Sequence, residues 1–501
     1  MQRCWRRRCN LLVINQRLSL LLAARRVEIL AQIEIDDEPV RPVITFLVLE
    51  FEAHPFDPRH RQGRNVRDEL QCAAPLGFAP YESCNIGPPM AAAVEMTSTF
   101  SADSINGRRA PDALVFSIED YAGYLQLRAF IRPYAAPLNR QERRMAKMKA
   151  AIFVGPGRIV LDDKPIPDVG PLDALMRITT TTICGTDVHI LKGEYPVAKG
   201  LTIGHQPVGV IEKLGSAVKG YAEGQRVIAG AITPSGWSNA CLCGTGSQDG
   251  AGTPHGWKPM GGWKFGNTID GCQADYVLVP DAMANLAPVP DGLTDEQVLM
   301  CPDIMSTGFG GAESAGIRIG DTVAVFAQGP IGLCASAGAK LSGSSMVIGV
   351  DRVPDRLLMA RKMGADHVID SSKVDPVEEI MRLTAGRGVD VSIEALGTQQ
   401  TFEACLRVLR PGGTLSSLGV YSTDLKIPLG AFAAGLGDHR IITTLCPGGK
   451  ERMRRLMSVI AAQRVDFGAM VTHRFKLDDI EAAYELFSHQ RDGVLKVAIT
   501  P

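Results

Sequence analysis

From Met148 onward, apolar and β-branched residues gather in short runs that Gly and Pro interrupt: "MKAAIFVG", "DALMRITTTTI", "PVGVIEKLG", "QRVIAGAI" and "QADYVLVP". Short runs rich in Val, Ile and Thr predict strands, so residues 148–300 read as a β-rich unit. Past residue 320 the pattern alternates. "DTVAVFA" predicts a strand and "PIGLCASAGAKLSG" a helix; "MVIGVD" predicts a strand and "PDRLLMARKMGA" a helix. "DHVID", "VDVSIEAL" and "GTLSSLG" continue the strands. Strand–helix alternation of this kind predicts an α/β fold built on a doubly wound parallel sheet. The last stretch, "KERMRRLMSVIAAQRVD" to "GVLKVAIT", predicts a helix, further elements and a closing strand.

The first 147 residues follow neither pattern. Nineteen arginines and no lysine precede residue 147, against 18 Arg and 15 Lys from Met148 onward. Glycine rises from 5 in the first 147 residues to 47 in the last 354. Three readings compete for this N-terminal extension. It is an Arg-rich targeting peptide, although Asn15 and Arg17 break the apolar core of "MQRCWRRRCNLLVINQRLSLLLAARR" and no small-residue cleavage site follows. It is an accessory domain. Or it is GC-rich DNA translated upstream of the true start, since Arg codons are GC-rich and Lys codons AT-rich. "RQERRMAKMKAAIF" fits the third, because Gln-Glu-Arg-Arg can be encoded by a purine-rich run just before Met145 or Met148.

Length and composition bound the rest. A chain of 501 residues accommodates two or three domains. Hydrophobic residues at 45% and charged residues at 21% are ordinary for a globular protein. A net charge of −1 argues for neither nucleic acid nor an anionic membrane as partner. No apolar run reaches the roughly 20 residues of a membrane span. Twelve cysteines without disulfide-like spacing read as reduced thiols, some of them metal ligands, and imply a cytoplasmic setting.

Two stretches carry chemistry. In "ICGTDVHILKGEYPVAKGLTIGHQPVG", Cys184 and His205 lie 21 residues apart, each beside Gly. Deprotonated sulfur and neutral imidazole suit a metal, but a third ligand is needed. "LMCPDIMSTGFGGAES" offers two, Cys301 and Asp303. The second stretch is Ala327-Gln328-Gly329-Pro330-Ile331-Gly332, after a strand and opening a helix. It matches Gly-x-Gly-x-x-Gly except that Ala327 stands at the first Gly. Gly329 lets backbone approach a pyrophosphate, Gly332 lets the helix pack on the strand, and the helix N-terminus suits a phosphate. The next strand ends at Asp351, 19 residues after Gly332. A carboxylate there accepts ribose hydroxyls and repels a 2′-phosphate, favouring NAD over NADP, while Arg352 tempers that preference. The plainer alternative is that Asp351 caps the following helix.

"ICGTDVH", "GHQPVG" and "GDTVAVFAQGPIG" together resemble the zinc-dependent medium-chain alcohol dehydrogenases, over essentially Met148–Pro501. "GGWKFGN", "DIMSTGFGGAE" and "LCPGGKERMRRL" are similar to the bacterial secondary-alcohol, isopropanol-type branch. The resemblance implies a GroES-like β-barrel catalytic domain over residues 148–306, a Rossmann coenzyme domain over 307–445, and a return to the catalytic domain over 446–501. It implies a homotetramer acting on a small alcohol or ketone, with one catalytic Zn2+ per chain and NAD as coenzyme. The implied ligands are Cys184, His205 and Asp303. Asp303 lies four residues before Thr307, the family's offset for its third ligand, and Cys301 falls two residues early. Thr186 would take the alcohol proton, and a relay through the nicotinamide ribose would pass it to His189. Gly329, Pro330, Ile331, Gly332, Asp351 and Arg352 would hold the coenzyme. By analogy Trp263, Tyr421, Leu445 and Cys446 would line the substrate pocket.

Two departures from the family pattern stand out. Gln206 replaces the usual Glu beside the metal, keeping an oxygen but losing the charge. Only Cys241 and Cys243, with Cys272 further on, occupy the region where many relatives place a structural zinc, so none is expected here. Weighed beside the alcohol dehydrogenase reading are a polyol, threonine or aldehyde-type dehydrogenase of the same superfamily, and a non-catalytic nucleotide-binding relative. For the extension, N-terminal sequencing of the native protein is expected to find Met145 or Met148; a start near residue 20 or earlier would discard the upstream-translation reading.

Overall fold

The computed structural model describes residues 146–501 in full and, upstream of them, only the backbone of seven short strands between Leu18 and Arg132. The extension expected over residues 1–147 therefore lies, apart from the backbone of those strands and its last two residues, outside the described residues. In the described part, β1 (Lys147–Gly155) and β2 (Arg158–Pro165) form an antiparallel hairpin. β3 (Ala174–Thr182) follows, then α1 (Gly185–Lys192), β4 (Val208–Leu214), β5 (Arg226–Ala229), β6 (Tyr276–Val279) and β7 (Leu286–Pro288). The strand signals in the Val/Ile/Thr runs are all realised, because each run has its apolar positions buried: Met176, Ile211, Val227 and Val277 all lie in one core.

A π-helical turn over Cys301–Met305 leads into α2 (Ser306–Ser314). The Met305 amide bonds the Met300 carbonyl at 2.8 Å, five residues back, and Pro302 contributes no amide of its own. Then β8 (Thr322–Phe326), α3 (Pro330–Leu341), β9 (Met346–Asp351), α4 (Pro354–Lys362) and β10 (His367–Asp370) alternate. α5 (Pro376–Leu383), β11 (Val389–Glu394), α6 (Gln399–Arg407), β12 (Leu409–Ser417) and β13 (Arg440–Thr443) complete the alternation. Asp375 and Thr398 cap α5 and α6 through their side chains, as N-cap residues do. The sheet runs β10-β9-β8-β11-β12-β13, all parallel. That is the doubly wound order, with its switch point between β8 and β11. Both of these strands are buried throughout, as helices on both faces require.

The chain then returns. α7 (Lys450–Ala461) packs on the first lobe, and β14 (Val471–Lys476), α8 (Ile480–Ser488) and β15 (Lys496–Thr500) end it. β15 pairs with β3, Thr182 opposite Ala498, so the first lobe's sheet reads β7-β5-β4-β3-β15-β14 with β6 also on β3. The fold is the expected GroES-like body plus Rossmann sheet. Among the described residues no helix is long and apolar enough to cross a membrane.

α2 is the joint between the lobes. Its sequence "STGFGGAES" is small-residue rich, and each glycine admits a neighbour. A Cβ on Gly308 would fall 2.6 Å from the Cβ of Cys334 on α3, one on Gly310 2.9 Å from Pro447, and one on Gly311 2.6 Å from Leu418. Phe309, whose ring also lies against Gly338 of α3, meets Phe467 edge-on at 6.1 Å. We expect Gly308→Ala to destabilise by about 2 kcal/mol, because overpacking here outweighs the ~1 kcal/mol that alanine gains over glycine in a helix. Chemical denaturation measures it; a variant as stable as wild type would mean that α2 and α3 do not approach so closely.

Candidate functional site

Cys184 ends β3's extension and caps α1. Its amide donates to Asp187 Oδ2 at 2.8 Å, so the first turn of α1 fixes the cysteine. His205 sits in the extended segment before β4, and Asp303 on the π-helical turn. The three come together in the interior: their ligand atoms lie within 4.8 Å of one another, all buried. Cys184 Sγ and His205 Nε2 each lie 3.3 Å from Asp303 Oδ2. The Thr307 hydroxyl donates to the other oxygen, Oδ1, at 3.1 Å. Thiolate, imidazole and carboxylate converging on one point form the donor set of a catalytic zinc, with three protein ligands and a fourth position for substrate. Cys301 faces Met305 instead, its sulfur 3.8 Å from the thioether, so the structure brings Asp303 and not Cys301 into the group. Cys241 is held by Ser238, and Cys272 accepts the Gln206 amide at 3.1 Å, so neither joins it.

Around this group lies a second layer, of which the sequence motifs singled out only Gln206. Asp187 Oδ1 lies 3.3 Å from His205 Nδ1, orienting the ring so that Nε2 faces the other ligands. Asp187 is itself held by Gln273, which accepts the Tyr484 hydroxyl at 2.8 Å. Gln206 Nε2 donates to Asp303 Oδ2 at 3.1 Å. Behind it, Lys496 is 1% exposed; its ammonium donates to the Ile183 carbonyl at 2.7 Å and to Gln206 Oε1 at 3.5 Å. Two signals were available in the sequence: an acid three residues after Cys184 at a helix start, and a lone lysine in the apolar closing strand.

Burial disfavours charge on His205, yet Asp187 and Asp303 overrule it and hold the imidazole well above its usual range. Burial likewise opposes the Asp303 carboxylate, but hydrogen bonding and charge from His205 bring it down to about 2. Burial pulls the Lys496 ammonium below its ordinary range against Cys184 and Asp303. In the metal-free protein His205 and Asp303 thus favour a buried ion pair, Nε2 facing Oδ2 at 3.3 Å.

His205 and Asp303 line a cavity of about 350 Å³ at the junction of the lobes. Thr186 and His189, the two residues of the expected proton path, line it, as do the four expected pocket residues Trp263, Tyr421, Leu445 and Cys446. Thr186 Oγ1 lies 3.9 Å from Cys184 Sγ. His189, on α1 and 42% exposed, has its Nδ1 against Glu194. Trp263 stands edge-on to His205 at 6.2 Å and to Tyr195 at 5.1 Å. Tyr195 and Met260 also line the cavity and touch one another.

At the switch point the turn Ala327–Gly332 has the shape its partial motif predicts. Ala327 takes φ 70°, the left-handed region that favours glycine, so alanine at the first motif position adopts the glycine conformation rather than abolishing the turn. Gly332 is indispensable, since a Cβ would fall 1.8 Å from the Ala327 carbonyl oxygen. Gly329 faces open space, where a pyrophosphate would lie at the start of α3. Asp351 accepts the Gln328 amide at 2.6 Å on one oxygen and the Arg352 and Val353 amides at 2.7 and 2.9 Å on the other. It therefore ties β9 to the turn and also steadies the start of α4; a carboxylate's roughly four acceptor sites leave it able to take a ribose hydroxyl as well.

Comparison with known proteins agrees with this geometry. The family model for the alcohol dehydrogenase GroES-like domain matches residues 170–291, and that for zinc-binding dehydrogenases matches 330–462. An alcohol dehydrogenase of Cupriavidus necator is 72% identical over 363 residues, 71% of this chain and 99% of its own. The NADP-dependent isopropanol dehydrogenase of Thermoanaerobacter brockii is 35% identical over 357 residues, 70% of this chain and 99% of its own. The structure of zinc dependent alcohol dehydrogenase 2 from Streptococcus pneumonia superposes with a TM-score of 0.64 at 33% identity, covering 70% of this chain and 98% of that one. The chain belongs to the zinc-dependent medium-chain alcohol dehydrogenase family, and its chemistry is alcohol–carbonyl oxidoreduction.

Zinc requires neutral imidazole, so a proton on His205 competes with the metal. His205 is raised in the metal-free protein, so that competition is felt around neutrality and relaxes as pH rises. Zinc affinity, measured by chelator competition, is expected to fall by about tenfold or more for each pH unit below the His205 pKa, since the imidazole must lose its proton to bind the metal. A flat profile between mildly acidic and mildly alkaline pH would remove His205 from the ligand set.

Proposed function

We propose that this protein is an NAD-dependent, zinc-dependent dehydrogenase that interconverts small secondary alcohols and ketones, with primary alcohols and aldehydes as lesser substrates. The observation that carries the reading is the convergence of Cys184, His205 and Asp303 beneath a small, mainly apolar cavity that also holds Thr186 and His189. Residues 148–306 and 446–501 make up the catalytic body in this reading, and 307–445 the coenzyme domain; the pairing of β15 with β3 supports the return.

When bound, zinc supplies Lewis acidity toward the alcohol or carbonyl oxygen, and nicotinamide supplies the hydride acceptor or donor. The protein's own residues do the rest. Cys184, His205 and Asp303 hold the metal. Thr186, next to the ligand sulfur, holds the alcohol proton, since a hydroxyl both accepts and donates. His189, with Nδ1 against Glu194, retains Nε2 for exchange with water at the cavity mouth. Trp263, Leu445 and Cys446 offer apolar surface to the substrate's carbon groups. Gly329–Gly332 with α3 holds the pyrophosphate, and Asp351 disfavours a 2′-phosphate, which supports NAD over NADP, with Arg352 beside it moderating the preference.

A homo-oligomer, the tetramer of the branch, is supported by β13, an edge strand of the parallel sheet, and by Leu429 and Leu436 exposed at 75% and 85% just before it. A cytoplasmic setting is supported by the eight described cysteines, all free thiols.

Metal analysis of the purified full chain tests the reading. About one zinc per chain is expected, lost in Cys184→Ser and Asp303→Asn and retained in Cys301→Ser. The opposite order for the last two would make Cys301 the third ligand. A protein that holds no zinc and oxidises no alcohol with NAD or NADP would overturn the reading altogether.

A further inference from the structure

Thr307 is the residue of α2 that faces Asp303, and its neighbours leave it little freedom. Arg452 pins Ser306 before it, donating to the serine hydroxyl at 2.9 Å and to the serine carbonyl at 2.8 Å. The Ser306 hydroxyl in turn donates to the Pro447 carbonyl at 2.6 Å. Gly308 after it has no room for a Cβ against Cys334. Thr307 itself is buried, and its hydroxyl lies 3.1 Å from Asp303 Oδ1. A carboxylate can only accept, so the threonine gives its hydrogen to Oδ1.

The two oxygens of Asp303 therefore have different surroundings. Oδ2 lies 3.3 Å from both Cys184 Sγ and His205 Nε2, and Gln206 Nε2 donates to it at 3.1 Å. Oδ1 is turned to α2 instead. It keeps a free lone pair, so direction rather than saturation separates it from the ligand group. That direction is set by a donor that cannot follow the carboxylate if it turns, since α2 is fixed on both sides of Thr307.

The distinction matters for a metal. A carboxylate binds a cation through one oxygen or through two. Through one, Cys184, His205 and Asp303 supply three donors and leave a fourth position for substrate. Through two, the carboxylate takes the further position itself. We propose that Thr307 is a positioning residue for the metal site: by holding Oδ1 it makes Asp303 a one-oxygen ligand and keeps a coordination place open. The inference rests on the zinc-ligand reading above and deepens it. Its lever is Thr307→Val, which keeps the shape of the side chain and removes the donor. A buried carboxylate oxygen left without a partner is costly, and the metal is then the partner within reach.

The test uses the full-length protein carrying Co2+ in place of Zn2+, since cobalt accepts the same ligands and its spectrum reports coordination geometry. Four-coordinate cobalt absorbs strongly in the visible, and cobalt of higher coordination number absorbs weakly. A thiolate-to-cobalt band in the near ultraviolet reports Cys184. Wild type is expected to show both the thiolate band and strong visible absorption. Thr307→Val keeps the thiolate band and loses visible intensity severalfold, while Thr307→Ser, which retains the hydroxyl, stays like wild type. A Thr307→Val spectrum the same as wild type, or a Thr307→Ser spectrum as weak as that of Thr307→Val, would overturn the proposal. Should Thr307→Val fail to fold or to give the thiolate band, wild type and Thr307→Ser decide: strong visible absorption in both supports the proposal, and weak absorption in either overturns it. A wild-type protein without the thiolate band would instead defeat the zinc-ligand reading, and the proposal with it.

Discussion

The close approach of α2 to α3 is the constraint on which the rest of the structure depends. α2 continues the π-helical turn that carries Asp303, and α3 continues the glycine turn at the switch point. The two helices meet through Gly308 against Cys334, with no room for a side chain between them. Rigid, close-packed helices transmit position rather than absorb it. The separation between the metal-binding group and the coenzyme turn is thus set by a backbone-to-backbone contact. Leu418 and Pro447 press on the other glycines of α2, and both belong to segments that flank the cavity. The same short helix therefore fixes the third ligand, the nucleotide turn and the substrate cavity against one another. Hydride transfer needs that kind of placement more than it needs a protein nucleophile.

A second constraint is electrostatic. Three buried carboxylates, Asp187, Asp303 and Glu394, lie close to the cavity, and each is satisfied differently. Asp187 orients a histidine, Asp303 faces Cys184 and His205, and Glu394 is surrounded by hydroxyls and amides. Buried charge is tolerated only where it is paired or fully hydrogen-bonded. Each of these groups thereby dictates the direction of its neighbours' hydrogen bonds. The polar interior is in this sense a set of fixed dipoles built before any ligand arrives, the condition under which electrostatics can assist a reaction.

How much of this was legible in the sequence follows from the range of the interactions involved. The strands and the helices α3 and α4 were legible because local patterning and turn chemistry decide them. Cys184 and His205 were legible as a candidate pair, but Asp303 was chosen over Cys301 only through the resemblance, since 21 and then 98 residues separate the three and no local rule joins them. Even so, the pairing of Asp303 rather than Cys301 with the others depends on the π-helical turn, whose extra residue per turn rotates the side chains and leaves no mark in hydrophobic periodicity. Ala327 looked like a flaw in the glycine motif; the structure shows an alanine accepting the glycine backbone. Asp187, Lys496 and Glu394 were not singled out at all. Each is a polar residue whose meaning arises from contacts across distant strands, and in sequence each resembles an ordinary surface charge.

Gln206 gains its sense from this last group. Where the family has a glutamate beside the metal, this chain has an amide that donates to Asp303 and accepts from Lys496. With Gln206 neutral, the buried anions are Cys184 as thiolate, Asp303 and Asp187. With a zinc ion held by Cys184, His205 and Asp303 as proposed, the cations would be that divalent metal and Lys496. The charges then cancel, whereas a glutamate would leave one buried negative charge in excess. A buried lysine without a carboxylate of its own is costly unless neighbouring anions compensate it, and here the compensating anions belong to the metal shell. Lys496 and Gln206 are therefore to be read together: the amide loses the family's charge, and the balance that remains is held jointly by the metal position and by a lysine on the last strand of the chain.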